Sequence, residues 1–258
     1  MKCIGIVAWN TFREAVRDRV LYNLVLFAFL MMAAAIFVGQ ISIGIEGTVI
    51  VSLGLTAISV IGLLIAVFLG VGLVSKEMDK RTLYAILAKP VSRWQFLLGK
   101  FGGLALTLAV NTLAMGAALI LVLLYVKHSL QASDAGVLVA VYFIWLKLAL
   151  VVALALLFSC FTSPLLAILF TAGLYVAGLF VEDMRTVHSA QMSEVFQSFL
   201  RGVSYLLPNF QNFDVMGEVA HGRGVPFALA LQNTAYAALY CAMVIFAAIV
   251  IFSRRNLK

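Results

Sequence analysis

VIVSLGLTAISVIGLLIAVFLGVGLV, residues 49–74, carries no charged side chain. A helix rises about 1.5 Å per residue, and roughly 20 apolar residues cross the hydrocarbon core of a bilayer. Lipid offers no water to backbone N–H and C=O groups, so a run of this length must close its hydrogen bonds internally, as a helix. Comparable runs extend from Val20 to Gln40, Phe96 to Val126, Val137 to Cys160, Pro164 to Val181 and Phe227 to Phe252. Together they predict an all-α polytopic membrane protein of about six transmembrane helices. The fourth and fifth spans are separated by a tight turn, with Ser163 as N-cap and Pro164 at the first helical position.

Composition agrees. Of the 258 residues 64% are hydrophobic and 11% charged, and the mean hydropathy is +1.09. A soluble domain is usually about 45–50% apolar and about 25% charged. Residues 1–258 therefore read as a single membrane domain. The net charge of +7 is not gathered into a patch of the kind that binds nucleic acid. Lys and Arg instead sit at the ends of the apolar runs, as contacts to membrane lipids and as topology signals. Lys2, Arg13, Arg17 and Arg19 precede the first span; Lys76, Lys80, Arg81, Lys89, Arg93 and Lys100 surround the second loop; Arg254, Arg255 and Lys258 close the chain. Six crossings would put all of these on one side, the cytoplasm, and both termini with them. Cys3, Cys160 and Cys241 are scattered, which argues against a disulfide framework and a thiolate metal site.

Two segments next to the spans are patterned. In residues 1–19, Ile4, Ala8, Phe12, Ala15 and Val16 recur at helical spacing, with Arg13, Glu14, Arg17 and Asp18 on another face. This is the pattern of a helix lying in the membrane interface, or of a solvated extension of the first span. In the loop 75–95, Leu83, Ile86 and Leu87 share one helical face, Pro90 stops that helix, and Ser92 with Gln95 forms a capping box for the third span.

The loop also resembles the cytoplasmic loop of ABC-2 type transporter permeases. The family pattern is a glutamate, Gly-Thr-Leu, a few apolar residues, Pro-x-x-Arg and Gly-Lys; here it reads Glu77, Thr82-Leu83, Pro90, Arg93 and Gly99-Lys100, with Arg81 where glycine is frequent. The resemblance covers the overall plan as well: an N-terminal interfacial helix, six spans, a short fourth-to-fifth turn and a longer extracytoplasmic segment, 182–226. Pro208-Asn209-Phe210 and Phe213-Asp214 look like the family's outer region. The implied architecture is ABC-2, or type V exporter-like, in a bacterial cell inner membrane. Segment 75–95 then contains a coupling helix that docks on a separate ABC ATPase subunit, present in two copies, beside a second permease copy or a paralogue. Glu77, Arg81, Leu83, Ile86, Leu87, Pro90 and Arg93 would be the docking residues. Glu77 pairing with Lys80 or Arg81 on its own helix is the plainer alternative.

No G-x-x-x-x-G-K-[ST] occurs, so no cofactor is expected in this chain; ATP and Mg belong to the partner ATPase. No nucleophile, base and orienting residue assemble at membrane depth, and no metal-ligand spacing occurs, so neither a catalytic nor a metal site is expected. Lys147 is the charge deepest inside an apolar run. Tyr142, Phe143 and Trp145 before it resemble an interfacial belt, which would leave Lys147 snorkelling at the outer surface; the other reading places it on a pathway or subunit interface. Asn111, Thr112 and Asn233 are either pathway residues or interhelical hydrogen-bonding glue. Met192, Val195, Phe196, Phe199 and Leu200 pattern an amphipathic helix in the outer segment. The expected function is export or flipping of an amphipathic or lipid-linked substrate. The rival classes are a secondary transporter and a membrane scaffold subunit without a transport cycle.

Overall fold

The computed structural model describes residues 2–18, scattered positions between 22 and 37, and residues 45–79, 92–127, 132–186, 198 and 202–254. The described residues form helices and short turns, with no strand among them. In chain order the helices are α1 (Lys2–Val16), α2 (Glu46–Asp79), α3 (Arg93–Lys127), α4 (Gly136–Ser159), α5 (Pro164–Leu179), α6 (Val181–Thr186), α7 (Met216–Ala220) and α8 (Phe227–Arg254). The expected first span, Val20 to Gln40, lies largely outside the described residues; the positions described there are helical.

Four described helices are long and apolar enough to cross a membrane: Glu46–Leu73 within α2, all of α3, all of α4, and Phe227–Ser253 within α8. Their limits fall within a few residues of the apolar runs because apolarity and helicity are the same requirement in lipid. The expected fifth span is shorter. α5 has 16 residues, about 24 Å, which falls short of a hydrocarbon core of about 30 Å. Its stop is built by the chain itself: Gly178 O accepts a hydrogen bond from Phe210 N at 3.2 Å. A Cβ at Gly178 would sit 2.5 Å from both the Phe210 ring and Pro208 O. The start of α5 matches the expectation in position, with Ser163 extended and Pro164 in the first turn, although the Ser163 hydroxyl makes no capping bond.

α4 is the centre of the molecule. From Leu146 to Leu156 every side chain is buried, because α2, α3, α5 and α8 surround it. Lipid tails are as apolar as leucine, so this packing relies on close contact and interhelical bonds more than on the hydrophobic effect. The contacts are accordingly tight. Gly116 of α3 faces Val141, and a Cβ added at Gly70 of α2 would lie 2.9 Å from the Ala155 methyl. Large apolar side chains remain on the outside, among them Leu113 and Leu121 on α3, Leu165 and Leu169 on α5, and Leu239 and Phe246 on α8. Such an outside is stable only in a hydrocarbon medium.

Candidate functional site

The basic end of the bundle carries α1, the start of α3 and the end of α8. Its framework begins with Arg93, the last residue of Pro-x-x-Arg. Arg93 Nη1 donates to Phe252 O at 2.9 Å and Ser253 O at 3.1 Å. These carbonyls belong to the last turn of α8, where the helix has no internal donors left and where a cation is favoured. The guanidinium also lies 5.7 Å from the centroid of the Phe252 ring, and Phe252 stacks on Phe96 at 6.3 Å. Arg93 therefore clamps the end of α8 to the start of α3. The capping box beside it is half formed: Gln95 Oε1 accepts from Ser92 N at 3.2 Å, while the buried Ser92 Oγ has no hydrogen-bond partner among the described residues. The reciprocal bond expected from the sequence is absent.

Gly99 and Lys100 have a role that the motif did not disclose. α1 lies across the first turns of α3, and the crossing is close enough that a Cβ at Gly99 would be 2.6 Å from Val7 and one at Gly103 2.5 Å from Ala8 O. Lys100 is buried under α1. Its Nζ approaches Glu14 Oε2 at 3.5 Å and lies 5.8 Å from the centroid of the Phe96 ring. Ala15 and Thr11 face inward, Trp9 and Ile6 are exposed, and Arg13 and Arg17 lie on the polar side. So α1 has a packing face besides the apolar and polar faces of an interfacial helix. The spacing Gly99-x-x-Gly102-Gly103 was the available signal, since small residues three and four apart let helices approach. The side chain of Glu77 and the residues Arg81, Leu83, Ile86, Leu87 and Pro90 lie outside the described residues. What is described are the two anchors of that segment, Asp79 at the end of α2 and Arg93 at the start of α3.

The polar residues of the spans are separated rather than gathered. Lys147 lies halfway along α4, and it is buried, 5% exposed. Its Nζ donates to Ser59 Oγ of α2 at 2.7 Å. Snorkelling at an outer aromatic belt is thereby corrected: Tyr142 and Trp145 bond sideways to Thr234 Oγ1 and Ala105 O, and Lys147 points into the bundle. Thr112 turns its hydroxyl back to Leu108 O at 2.8 Å, and Asn111 beside it is half-buried. Asn233 Nδ2 donates to Asn212 O at 2.7 Å, which ties α8 to the 208–214 segment. Asn233 thus bonds across to another segment, while Thr112 satisfies its hydroxyl within its own helix.

Residues 6–257 match the family model described as "ABC-2 family transporter protein". The chain belongs to the ABC-2 transporter family. A search of the curated proteins finds no match. As an ABC-2 permease it is a multi-pass integral membrane protein and the membrane subunit of an ABC transporter, a family whose members work with an ABC ATPase.

At the opposite end of this ABC-2 permease the 208–213 segment packs into the bundle. Phe210 and Phe213 are fully buried, and Asn209 N donates to Tyr236 Oη at 2.9 Å. Phe210 also meets Tyr175 of α5, with ring centroids 4.9 Å apart. Pro208, Asn209, Phe210 and Phe213 are therefore core, with Asp214 exposed beside them and α7 continuing over α2. Nearby, Lys127 and Asp134 pair at 2.7 Å beside a polar cavity of about 240 Å³ that reaches His221 and Thr48. His221 Nδ1 lies 2.8 Å from Gly217 O. Among the described residues no three His, Cys, Asp or Glu side chains cluster as metal ligands. The expected helix around Val195 and Phe196 lies outside the described residues.

Proposed function

We propose that this chain exports or flips an amphipathic or lipid-linked substrate across a bacterial inner membrane, driven by ATPase subunits that dock on segment 75–95. The observation that carries the reading is the framing of that segment. Asp79 closes α2 and Arg93 opens α3, and Arg93 is clamped to α8 while α3 is overlaid by α1. A push on the segment is thus delivered to α2, α3, α8 and α1 together. Glu77 and Arg81 would make charge-assisted contacts with the ATPase while Leu83, Ile86 and Leu87 fill its groove. Two ATPases imply two membrane subunits, the second a copy or a paralogue. The scarcity of charge within the spans suits a cargo with an apolar part.

The test is purification from native membranes in mild detergent, followed by identification of the partners. A stoichiometric ATPase that is lost in the Glu77→Lys/Leu87→Asp variant, with the permease still folded, supports docking. Recovery without any ATPase would overturn it. Lys147 favours a second reading, since ion-coupled carriers place ionisable groups at mid-span. Transport that follows a proton gradient and ignores ATP would support that one.

A further inference from the structure

Three side chains along α8 hold a neighbouring segment by its backbone. Asn233 Nδ2 donates to Asn212 O at 2.7 Å, Tyr236 Oη accepts from Asn209 N at 2.9 Å, and Tyr240 Oη donates to Leu206 O at 2.8 Å. Positions 233, 236 and 240 share one helix face, and their partners step back by three residues each time. The depth of this ladder follows from α4. Both helices run towards the basic end, where Cys160 packs with Phe252, and the Tyr142–Thr234 bond sets those two residues at one level. Lys147 lies about 8 Å further along α4, and Tyr240 about 9 Å further along α8. The tip of the segment thus reaches the level of Lys147, in mid-span. Its turn at Gln211–Phe213 packs on α4, and the Asp214 carboxylate that follows acts on Lys147 electrostatically.

We propose that residues 203–213 are a strap latched to α8 by Asn233, Tyr236 and Tyr240, and that its release opens the polar centre at Lys147 and Ser59 to water from the end opposite the basic one. Non-helical backbone is tolerated at membrane depth where protein buries it or where it lines a water-filled cavity; the two states of the strap are these two situations. The closed state is held unevenly. Phe210 and Phe213 are fully buried, whereas Tyr205 and Leu206 at the tip are 77% and 76% exposed. The tip is tied by Tyr240 and by Arg185, which donates to Ser204 O at 3.0 Å. Closure also leaves polar capacity unused. Gln211 Oε1 is buried with no hydrogen-bond partner among the described residues, a cost to this arrangement. Lys147 gives one N–H to Ser59, and an ammonium has three. Water admitted past the strap would satisfy both groups.

The inference deepens the transport reading by naming where the path is closed, but its test needs no ATPase, so docking on segment 75–95 and the strap can fail separately. Lys147→Cys is made in a chain with Cys3, Cys160 and Cys241 changed to Ala, reconstituted in lipid nanodiscs and treated with a charged, hydrophilic maleimide. Labelling is followed by mass spectrometry. It should be slow with the ladder intact. Tyr236→Phe/Tyr240→Phe keeps both rings and removes two rungs, which should raise the labelling rate about tenfold. Tyr142→Phe removes a bond at nearly the same depth that ties α8 to α4 and not to the strap, and should leave the rate unchanged. Ser59→Cys reads the same centre from α2, with Lys147 kept, if Lys147→Cys does not fold. Labelling that is already fast with the ladder intact, that stays slow without the two rungs, or that rises equally in Tyr142→Phe would overturn the proposal.

Discussion

Arg93 and Lys147 show how a charge is accommodated in a mostly apolar chain. Arg93 is half-buried and bonds to two carbonyls that have no other donor in their helix. Hydrogen bonds to charged groups contribute about 1.5–3 kcal/mol each, less when water competes, so Arg93→Ala should cost about 1–2 kcal/mol. Thermal unfolding in detergent measures this; Arg93→Lys should recover part of the loss, since it keeps the charge but not the fork. Lys147 differs in being buried, its Nζ bonded to the neutral Ser59 hydroxyl while the Asp214 carboxylate acts on it electrostatically. Ser59→Ala strands a buried donor and should cost about 1–3 kcal/mol. Lys147→Met removes the donor and fills similar space, so it should be tolerated and should erase most of the cost of Ser59→Ala in the double variant. Equal and additive losses in the two single variants would contradict this picture.

At the scale of elements, glycines govern how close the helices come. Gly103→Val places a side chain where Ala8 O and Thr11 already lie, and overpacking of this kind costs about 1–3 kcal/mol. The expected outcome is detachment of α1 from α3, seen as faster proteolysis within residues 2–18, with the spans intact. Gly178→Ala is expected to separate α5 from the 208–213 segment, because its methyl would fall on the Phe210 ring and Pro208 O. Loss of the Tyr175–Phe210 contact would appear as increased hydrogen exchange at Phe210 N. The order of these elements was legible in the sequence, since an apolar run in lipid can only be a helix. Their azimuths were not. Hydropathy marks Lys147 as charged but is silent on whether it faces lipid, water or Ser59. The apolar repeat in α1 reads the same whether it touches lipid or α3. Phe210 and Phe213 read as part of the outer segment 182–226 from the family resemblance, while their burial depends on Gly178, about thirty positions away.

At the scale of the whole molecule, the basic end is a frame that holds one segment. α2 leads into it, α3 leaves it, and α1 and α8 are both fixed to α3, so on the proposed docking a force on the segment reaches all four helices. The family motif was legible as Glu77, Thr82-Leu83, Pro90, Arg93 and Gly99-Lys100, and the match over residues 6–257 bears out the family. What it did not disclose is that Arg93 and Gly99-Lys100 are engaged inside the chain, because a motif records residue types and not partners. The central claim is that segment 75–95 is where an ATPase binds. Ile86→Cys, in a chain with Cys3, Cys160 and Cys241 changed to Ala, can be treated with a short thiol-reactive crosslinker in native membranes. The account predicts a crosslinked species of permease plus one ATPase subunit that disappears when Glu77→Lys/Leu87→Asp is added. An ATPase recovered with the complex but crosslinked only from positions elsewhere on the chain would contradict it.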